Sequence, residues 1–278
     1  MEKISKLVKF FLEQDMDETI LIDSNGHEIS RINFINLINK FSDRLHNHIN
    51  NSDKVIIWGS NTIENVVIIF TAIFSDIEPI LINDNSSYEE VCTIKRDVKA
   101  SYIISDKERN LEDKFLLTFG NEVATDNSCI DHNSYKSIIH KFEENISLAM
   151  HDLSSTCLLL PTSGTTSMEK IVMLSYDNIS NAVDCTIRNF DLNRNTTELL
   201  VFPISTITGL VCQLLSVILA GGKVALYDKF FSINSMIKFI NDANVNYLVL
   251  TPSVLNQINV ENKKIIESFN RVSHIVIC

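Results

Sequence analysis

Hydrophobic positions along the chain alternate between two spacings, one typical of strands and one typical of helices. From residue 54 onward, short apolar runs alternate with longer segments in which apolar residues recur every three or four positions. The first strand-like runs are KVIIW (54–58), PILI (79–82) and SYII (101–104). Helical spacing covers residues 62–74 and resumes at Ser87, which forms a capping-box pattern with Glu90. This alternation predicts a parallel sheet with helices on both faces.

The alternation returns after a more polar, irregular stretch at 105–155. It begins with TCLLL (156–160), continues through IVML, LLVF, KVALY and YLVL with helical segments between them, and ends on VSHIVIC (272–278). The predicted fold class is therefore α/β, with two successive, mostly parallel sheets flanked by helices. No linker rich in proline or glycine separates the two regions, so we expect one compact unit.

The N-terminal region predicts a hairpin and two helices. TILID (19–23), the Asn25-Gly26 turn and EISR indicate a short hairpin, and residues 33–49 carry an apolar stripe at helical spacing. Residues 1–15 place charged residues among apolar ones at helical spacing, which indicates an amphipathic surface helix and not a signal peptide. The apolar runs at 66–74 and 209–227 are too short or too interrupted to span a membrane, and we expect buried core segments.

Charge and cysteine content narrow the classes of partner. The formal net charge is −11, so a nucleic-acid partner is not expected. The six cysteines occur singly, without a C-x-x-C pair, and the histidines do not cluster. We therefore expect no metal site built from protein ligands, and reduced thiols in a cytoplasmic protein.

Residues 162–170, TSGTTSMEK, form a hydroxyl-rich connection between two predicted strands. Gly164 permits close approach of a ligand to the backbone, and Lys170 adds a positive charge. Hydrogen bonds to a charged partner contribute roughly 1.5–3 kcal/mol each, so three or four would anchor a triphosphate. The hydroxyl groups that can donate to phosphate oxygens belong to Thr162, Ser163, Thr165, Thr166 and Ser167.

Two alternative readings of this connection remain on spacing alone. A solvated Ser/Thr turn with an ordinary surface lysine would have similar composition. A Walker-type phosphate loop requires a second glycine directly before the lysine, and this chain has Glu169 there. The residues themselves thus indicate an anion-binding loop of no particular family.

The longer segment LLLPTSGTTSMEKIVMLSYDNIS (158–180) resembles the AMP-binding signature of the adenylate-forming superfamily, which includes acyl-CoA synthetases and nonribosomal peptide synthetase adenylation domains. The family pattern is T-S-G-T-T-G-x-P-K-G-V followed by S-H-x-N, and Ser175 and Asn178 match its second part. Four positions depart from it: Ser167, Glu169, Ile171 and Tyr176 replace glycine, proline, glycine and histidine. The carboxylate of Glu169 would oppose phosphate charge.

The resemblance extends over nearly the whole chain, including GSNTIENVV (59–67) and VFPISTITGL (201–210). In the family pattern P-l-x-H-x-x-G-l, Pro203 and Gly209 are in register, while Thr206 replaces a histidine or aromatic residue that helps to position the acyl carboxylate. Thr206 and Gly209 are therefore candidates for the acyl pocket. A hydroxyl that caps the following helix is an equally weighted reading of Thr206.

The resemblance also implies what the chain lacks. The family's adenine-binding segment, G-Y-G-x-T-E motif, ribose-binding aspartate and catalytic lysine lie beyond Cys278, so no catalytic residue is assigned. The apolar strand VSHIVIC is expected to be central and buried, and the sequence looks cut off there. We expect residues 1–278 to be an incomplete N-terminal AMP-binding domain without the C-terminal subdomain.

Two hypotheses follow. The first is the phosphate-binding part of a ligase that uses ATP and Mg²⁺ to activate a carboxylic acid as an acyl-adenylate, for transfer to the thiol of CoA or of carrier-protein phosphopantetheine. A second chain could supply the missing half, and the 278 residues alone should not catalyse ATP–pyrophosphate exchange. The second is a non-catalytic remnant or binding module that keeps the fold. The acid substrate is not indicated by the sequence.

Overall fold

The computed structural model describes most of the chain and places it in two mixed sheets with helices around and between them. The described residues are 8–50, 53–105, 116–118, 130, 134–149, 156–162, 170–228, 232–258, 269 and 271–277. The candidate loop residues Ser163, Gly164, Thr165, Thr166 and Ser167 lie outside these ranges.

Sheet I contains six strands in the order β6-β5-β3-β4-β7-β8. Neighbouring strands are parallel except for β8, which pairs antiparallel with β7 at one edge. The strands are β3 (Lys54–Gly59), β4 (Glu78–Asn83), β5 (Tyr102–Ser105), β6 (Leu116–Thr118), β7 (Thr156–Thr162) and β8 (Lys170–Ser175).

Sheet II has the same plan, with the order β12-β11-β9-β10-β1-β2 and an antiparallel pair, β1 with β2, at one edge. Its strands are β1 (Thr19–Asp23), β2 (Glu28–Ser30), β9 (Thr197–Leu200), β10 (Lys223–Leu226), β11 (Tyr247–Leu250) and β12 (His274–Ile277). The α/β class and the two mostly parallel sheets are thus confirmed.

The helices connect the parallel strands and cover the sheets. The helix α1 covers residues 8–12. The others are α2 (Arg31–His46), α3 (Ile63–Phe74), α4 (Tyr88–Val98), α5 (Tyr135–Ala149), α6 (Tyr176–Asn189), α7 (Thr208–Leu215 continuing as Ser216–Leu219), α8 (Ile233–Asp242) and α9 (Pro252–Gln257). The predicted capping box at α4 is present, with Ser87 and Glu90 each accepting a backbone N–H bond from the other residue.

The division of strands between the sheets differs from the prediction. The alternation that resumes at residue 156 does not open a new sheet, because β7 pairs with β4 and extends sheet I. The N-terminal hairpin β1–β2 instead joins sheet II, where β1 pairs with β10. Periodicity identifies a strand from its own residues, whereas the choice of partner strand depends on long-range packing.

The two most apolar segments are helices that lie inside the molecule, as predicted. In α3 every residue except Glu64 is buried, and the helix contacts β1 of sheet II as well as β3 and β4 of sheet I. The helix α7 is likewise buried along most of its length, against α6 and β9. Within the described parts of the chain, no helix has both the length and the apolar character needed to cross a membrane.

The last strand does not have the central position that its apolar sequence suggested. Among the described strands β12 is the outermost in sheet II, next to β11. Ile275 and Ile277 are 44% and 53% exposed. Their apolar side chains are therefore typical of a strand, but they are not buried as the sequence suggested.

Tyr176 fixes the β7–β8–α6 unit to the central helix. It is the first residue of α6 and is almost fully buried. Its hydroxyl group donates a hydrogen bond to the carbonyl of Ile73 in α3. Burial raises the pKa of this phenol, so it remains a neutral donor across the physiological pH range.

Tyr176→Phe should lower the free energy of unfolding, because the Ile73 carbonyl loses a buried donor. We expect a loss of about 1–2 kcal/mol, measured by urea denaturation. Tyr135→Phe is the matched control, since the Tyr135 hydroxyl donates to Asp17 at an exposed position. Losses of equal size in the two variants would contradict the anchoring role of Tyr176.

Candidate functional site

The hydroxyl-rich loop connects the two antiparallel strands at the edge of sheet I. Thr162 ends β7, Lys170 begins β8, and the two residues are direct partners in the strand register. The ends of the connection at 163–169 are therefore held side by side. Lys170 is exposed at this position.

Thr162 lies at the carboxyl end of the parallel strands of sheet I. Ile80 of β4 pairs with Leu159 of β7, and both strands run three residues further, to Asn83 and Thr162. In open α/β sheets, ligands bind at the carboxyl ends of the strands. The predicted phosphate-binding loop thus starts at the edge of the sheet where a ligand is expected.

The Ser175–Asn178 part of the motif has a structural explanation. Ser175 is the N-cap of α6, and its side chain accepts a hydrogen bond from the Asn178 N–H at 3.2 Å. In return, Asn178 Oδ1 accepts a bond from the Ser175 N–H at 3.1 Å. This reciprocal pair is a capping box, so the two matched residues start the helix that follows the hairpin.

The two acyl-pocket candidates, Thr206 and Gly209, lie at the start of α7. Thr206 Oγ1 donates to the Pro203 carbonyl at 2.7 Å and accepts from the Gly209 N–H at 3.1 Å. A Cβ on Gly209 would lie 2.2 Å from the Pro203 carbonyl oxygen, so only glycine fits here without displacing the backbone. The helix-capping reading of Thr206 is therefore realised, while its role toward an acid stays a prediction.

Asn61 joins the carboxyl ends of the two sheets and was not singled out from the sequence. It follows β3 of sheet I and is 7% exposed. Its Nδ2 lies 3.0 Å from the carbonyl oxygen of Phe202, and 3.4 Å from those of Leu200 and Tyr227, which follow or end strands of sheet II.

The carbonyl oxygen of the Asn61 side chain also takes part in the connection between the two sheets. Its Oδ1 accepts a hydrogen bond from the Ile204 N–H at 3.0 Å. Because Ile204 lies two residues before Thr206, the amide fixes the start of α7 relative to sheet I. The segment GSN (59–61), which carries part of the family resemblance, was the available signal for this role.

A cavity of about 120 Å³ lies beside α7. Thr208 and Cys212 contribute to it from α7, whereas Thr206 and Gly209 do not line it. Its described lining residues are mostly apolar and come from α6 and the residues just after it, and from α7, β9, β11 and β12: Thr186, Phe190, Leu192, Glu198, Thr208, Cys212, Tyr247, Val249 and Val276.

The π-helical start of α7 shapes this wall. Thr208–Leu215 form a π-helix, a rare conformation that is frequent at functional sites. The wider turn also allows a side-chain hydrogen bond. The Ser216 hydroxyl group donates to the carbonyl oxygen of Val211, five residues earlier, at a distance of 2.7 Å. The cavity therefore lies against the irregular first part of α7.

Glu198 of β9 is a buried acid on the cavity wall. Its side chain is inaccessible to solvent, and Oε1 accepts a hydrogen bond from Gln213 Nε2 at 2.8 Å. Burial raises the pKa of this carboxyl well above its usual value, although the bond from Gln213 acts in the opposite direction. Glutamate is seldom fully buried, so no sequence pattern indicated this position.

The described residues contain no group of three or more His, Cys, Asp or Glu side chains that could hold a metal ion. At the base of the loop, Lys170 offers an exposed ammonium group. This group suits phosphate oxygens, because it donates hydrogen bonds and carries a positive charge.

Comparison with known proteins agrees with this architecture. A sequence model of AMP-binding enzymes matches residues 9–277. The chain is 25% identical over 225 residues to a 2-succinylbenzoate–CoA ligase of Staphylococcus aureus, a match that covers 73% of this chain and 44% of the ligase. The chain thus spans less than half the length of the curated relatives that it matches.

Solved structures show the same fold. The N-terminal subdomain of Klebsiella oxytoca NpsA, in complex with 3-hydroxybenzoyl-AMSN, superposes with a TM-score of 0.76 at 15% identity. That match covers 100% of this chain and 66% of the other. An ATP-bound RpMatB-BxBclM chimera gives a TM-score of 0.75 at 13% identity, covering 99% of this chain and 55% of the chimera.

Asn61→Ala should destabilise the protein and loosen the start of α7. The variant leaves the buried Ile204 N–H without its acceptor, which costs roughly 1–3 kcal/mol in the free energy of unfolding. Amide hydrogen exchange at 203–209 should accelerate selectively. Asn181→Ala is the control, because the Asn181 amide donates within α6, to Asp177 O. The linking role of Asn61 is wrong if exchange at 203–209 is unchanged.

Glu198→Gln should change how stability depends on pH. The pKa of Glu198 is raised in the folded state, so the folded protein retains a proton that the unfolded chain has released. Stability is therefore retained at pH values below the unfolded pKa, about 4.3, and falls as the pH rises toward the folded pKa. Urea unfolding at pH 5 and pH 8 should show a larger stabilisation of the variant, relative to the native chain, at pH 8.

Glu78 has a pKa raised in the same direction, mainly by burial, so some pH dependence should persist in the Glu198→Gln variant. An identical change in stability between pH 5 and pH 8 in the native chain and the variant would contradict the protonated state of Glu198.

Proposed function

We propose that this chain, which belongs to the AMP-binding enzyme family, contributes the triphosphate-binding hairpin and the acid pocket of a ligase. The ligase would activate a carboxylic acid in two half-reactions. In the first half-reaction, a carboxylate oxygen of the acid attacks the α-phosphorus of ATP, and pyrophosphate leaves. In the second, a thiol replaces AMP and forms a thioester.

The observation that carries this proposal is the position of the β7–β8 hairpin. It places Thr162 and Lys170 together at the carboxyl end of sheet I, with the hydroxyl-rich residues 163–167 between them in sequence. The loop hydroxyls and backbone N–H groups would hold the β- and γ-phosphates, and Lys170 would offset their charge. These interactions would be released as pyrophosphate leaves.

The carboxylate of the acid would lie at the carboxyl edge of sheet II, near Thr206. The cavity beside α7 would hold the chain of the acid, because its wall is mostly apolar. Thr206 has a second lone pair on its hydroxyl oxygen beyond the two hydrogen bonds already described, but no charge with which to attract a carboxylate. We therefore assign it a positioning role at the start of α7.

Mg²⁺ fits this arrangement as a companion of ATP. It prefers oxygen ligands and is commonly held by substrate phosphates with few protein carboxylates, so it would bind mainly through the phosphate oxygens of ATP. When bound, it would supply neutralisation of phosphate charge. Thr162, Lys170 and the adjoining hydroxyl groups would hold and orient the phosphates themselves.

The acceptor and the remaining partners follow from the family. The thiol would belong to CoA or to the phosphopantetheine of a carrier protein, and a further polypeptide segment or second chain would supply the adenine, ribose and catalytic-lysine contacts. Cys92, Cys157 and Cys185 are free thiols, which supports a reducing, cytoplasmic location.

Lys170→Met should weaken binding of MgATP by about 10–100-fold, the equivalent of losing one charged hydrogen bond of roughly 1.5–3 kcal/mol. Isothermal titration calorimetry with MgATP measures this, and inorganic tripolyphosphate should compete, because the loop is proposed to bind the phosphate tail. Lys238→Met, at an exposed position on α8, is the matched control and should bind as the native chain does.

Equal affinities of the Lys170 and Lys238 variants would contradict the role of the hairpin. Absence of MgATP binding by the native chain would instead favour the non-catalytic remnant.

A further inference from the structure

A second cavity lies at the amino edge of sheet II, where the strands β9, β11 and β12 begin. We call this cavity the amino-edge pocket, and its volume is about 180 Å³. Its described lining includes one carboxylate, that of Asp191, and three rings, those of Phe190, Tyr247 and His274. None of the described lining residues is a lysine or an arginine. The pocket therefore joins a negative charge to ring surface.

The carboxylate of Asp191 is exposed and is not neutralised by a neighbouring side chain. Within the described parts of the chain it makes no ion pair and no hydrogen bond, and this includes Arg194 on the same turn. Tyr247 is 4% exposed, and its pKa is raised to about 12, first by burial and then by the carboxylates of Glu198 and Asp191. The charge of Asp191 thus acts on the wall of the pocket.

The end of α6 adds to the negative potential at Asp191. Phe190 caps this helix, so Asp191 follows the carboxyl end, where the helix dipole favours cations and opposes a carboxylate. Asp191 has a φ of 52°, a left-handed conformation that asparagine adopts as readily as aspartate. The turn therefore does not require the charge, and a bound cation would offset both sources of negative potential.

The pocket suits an organic cation better than a metal ion. Mg²⁺ and Ca²⁺ need about six or more oxygen ligands, whereas the side-chain oxygens of the two nearby asparagines are already in use. Asn193 Oδ1 accepts the Asn195 N–H at 3.0 Å, and Asn246 Oδ1 accepts the Thr197 N–H at 2.8 Å. An ammonium group needs fewer oxygens, because it also binds to aromatic rings.

Ring surface is available beside the carboxylate. Phe190 is 40% exposed, and the exposed imidazole of His274 stacks on the ring of Tyr247 with centroids 5.3 Å apart. The volume of about 180 Å³ slightly exceeds that of an apolar cavity of about 150 Å³ known to hold benzene. One aromatic ring with an aminomethyl group therefore matches the space.

We propose that the amino-edge pocket binds a small organic cation, a primary ammonium group carried on an aromatic ring or a short apolar chain. Asp191 would pair with the ammonium group, and the ring of Phe190 would contact the ligand beside it. The site lies at the opposite ends of the strands from the proposed acid site, so its occupation does not depend on ATP or on ligase activity.

Two probes of nearly equal shape, benzylammonium and benzyl alcohol, test the role of charge. Their dissociation constants for the full 278-residue chain can be measured by NMR titration at about pH 8, where imidazole side chains are ordinarily neutral. We expect benzylammonium to bind about 5-fold or more tightly, which corresponds to one exposed ion pair and one cation–π contact. Added salt should reduce this preference, and amide resonances of 190–196 and 246–247 should shift on binding.

Variants locate the preference at Asp191. Asp191→Asn keeps the shape and the left-handed backbone, and it should bind the two probes equally. Asp242→Asn is the matched control, because Asp242 is an exposed residue at the carboxyl end of α8, outside the described lining, and its loss changes the net charge equally. It should keep the native preference. Phe190→Leu should weaken benzylammonium binding by about 2–5-fold.

Several results would overturn the proposed site. These are equal affinities of the native chain for the two probes, an unchanged preference in Asp191→Asn, or amide shifts confined to residues outside the pocket. Shifts at 190–196 caused by Ca²⁺ and not by benzylammonium would also overturn it, because they would indicate a metal site. The comparison of the two probes in the native chain needs no variant, so the test stands even if a variant does not fold.

Discussion

The arrangement of this protein depends on one buried amide between its two sheets. Asn61 follows a strand of sheet I, and its side chain bonds to backbone groups at the carboxyl ends of strands in sheet II. In parallel α/β sheets, ligands generally bind at the carboxyl ends of the strands. The hairpin that carries Thr162 and Lys170 and the helix start that carries Thr206 are therefore parts of one connected edge.

Two buried ionisable residues, Arg31 and Glu198, differ in how many hydrogen-bond partners they have. The guanidinium of Arg31 is inaccessible to solvent, but it donates to the carbonyls of Asp15 and Gly221, lies 3.7 Å from Glu18 and packs over Phe11. These contacts attach the segment 11–18 to the turn before β10. Arg31 is thus a structural residue with several partners, although its Nε has none among the described residues. Glu198 accepts a hydrogen bond at Oε1 only, and its buried Oε2 has no partner among the described residues. Burying a carboxyl oxygen without a hydrogen bond is less favourable than burying the guanidinium of Arg31 with several partners.

The departures from the family pattern have physical consequences of different kinds. Tyr176 replaces a histidine but uses its hydroxyl group to attach α6 to α3, so this position acts through packing. Thr206 replaces a ring or an imidazole and caps α7, so it contributes a local hydrogen bond where the family pattern has a larger side chain. Gly209 matches the pattern because the backbone of Phe202 and Pro203 leaves no room for a Cβ.

The sequence by itself determined the local elements and the chemistry of the loop. The helix α3, the capping box at Ser87 and the strands on each side of residues 163–169 followed from periodicity and spacing, because these signals depend on neighbouring residues alone. Only the tertiary structure decided that β1 joins β10, that β7 joins β4, that Asn61 connects the two sheets and that Glu198 is buried on β9. Those features depend on contacts between residues as far apart as Asn61 and Ile204, and no local pattern in an isolated sequence records which distant backbone a polar side chain will meet.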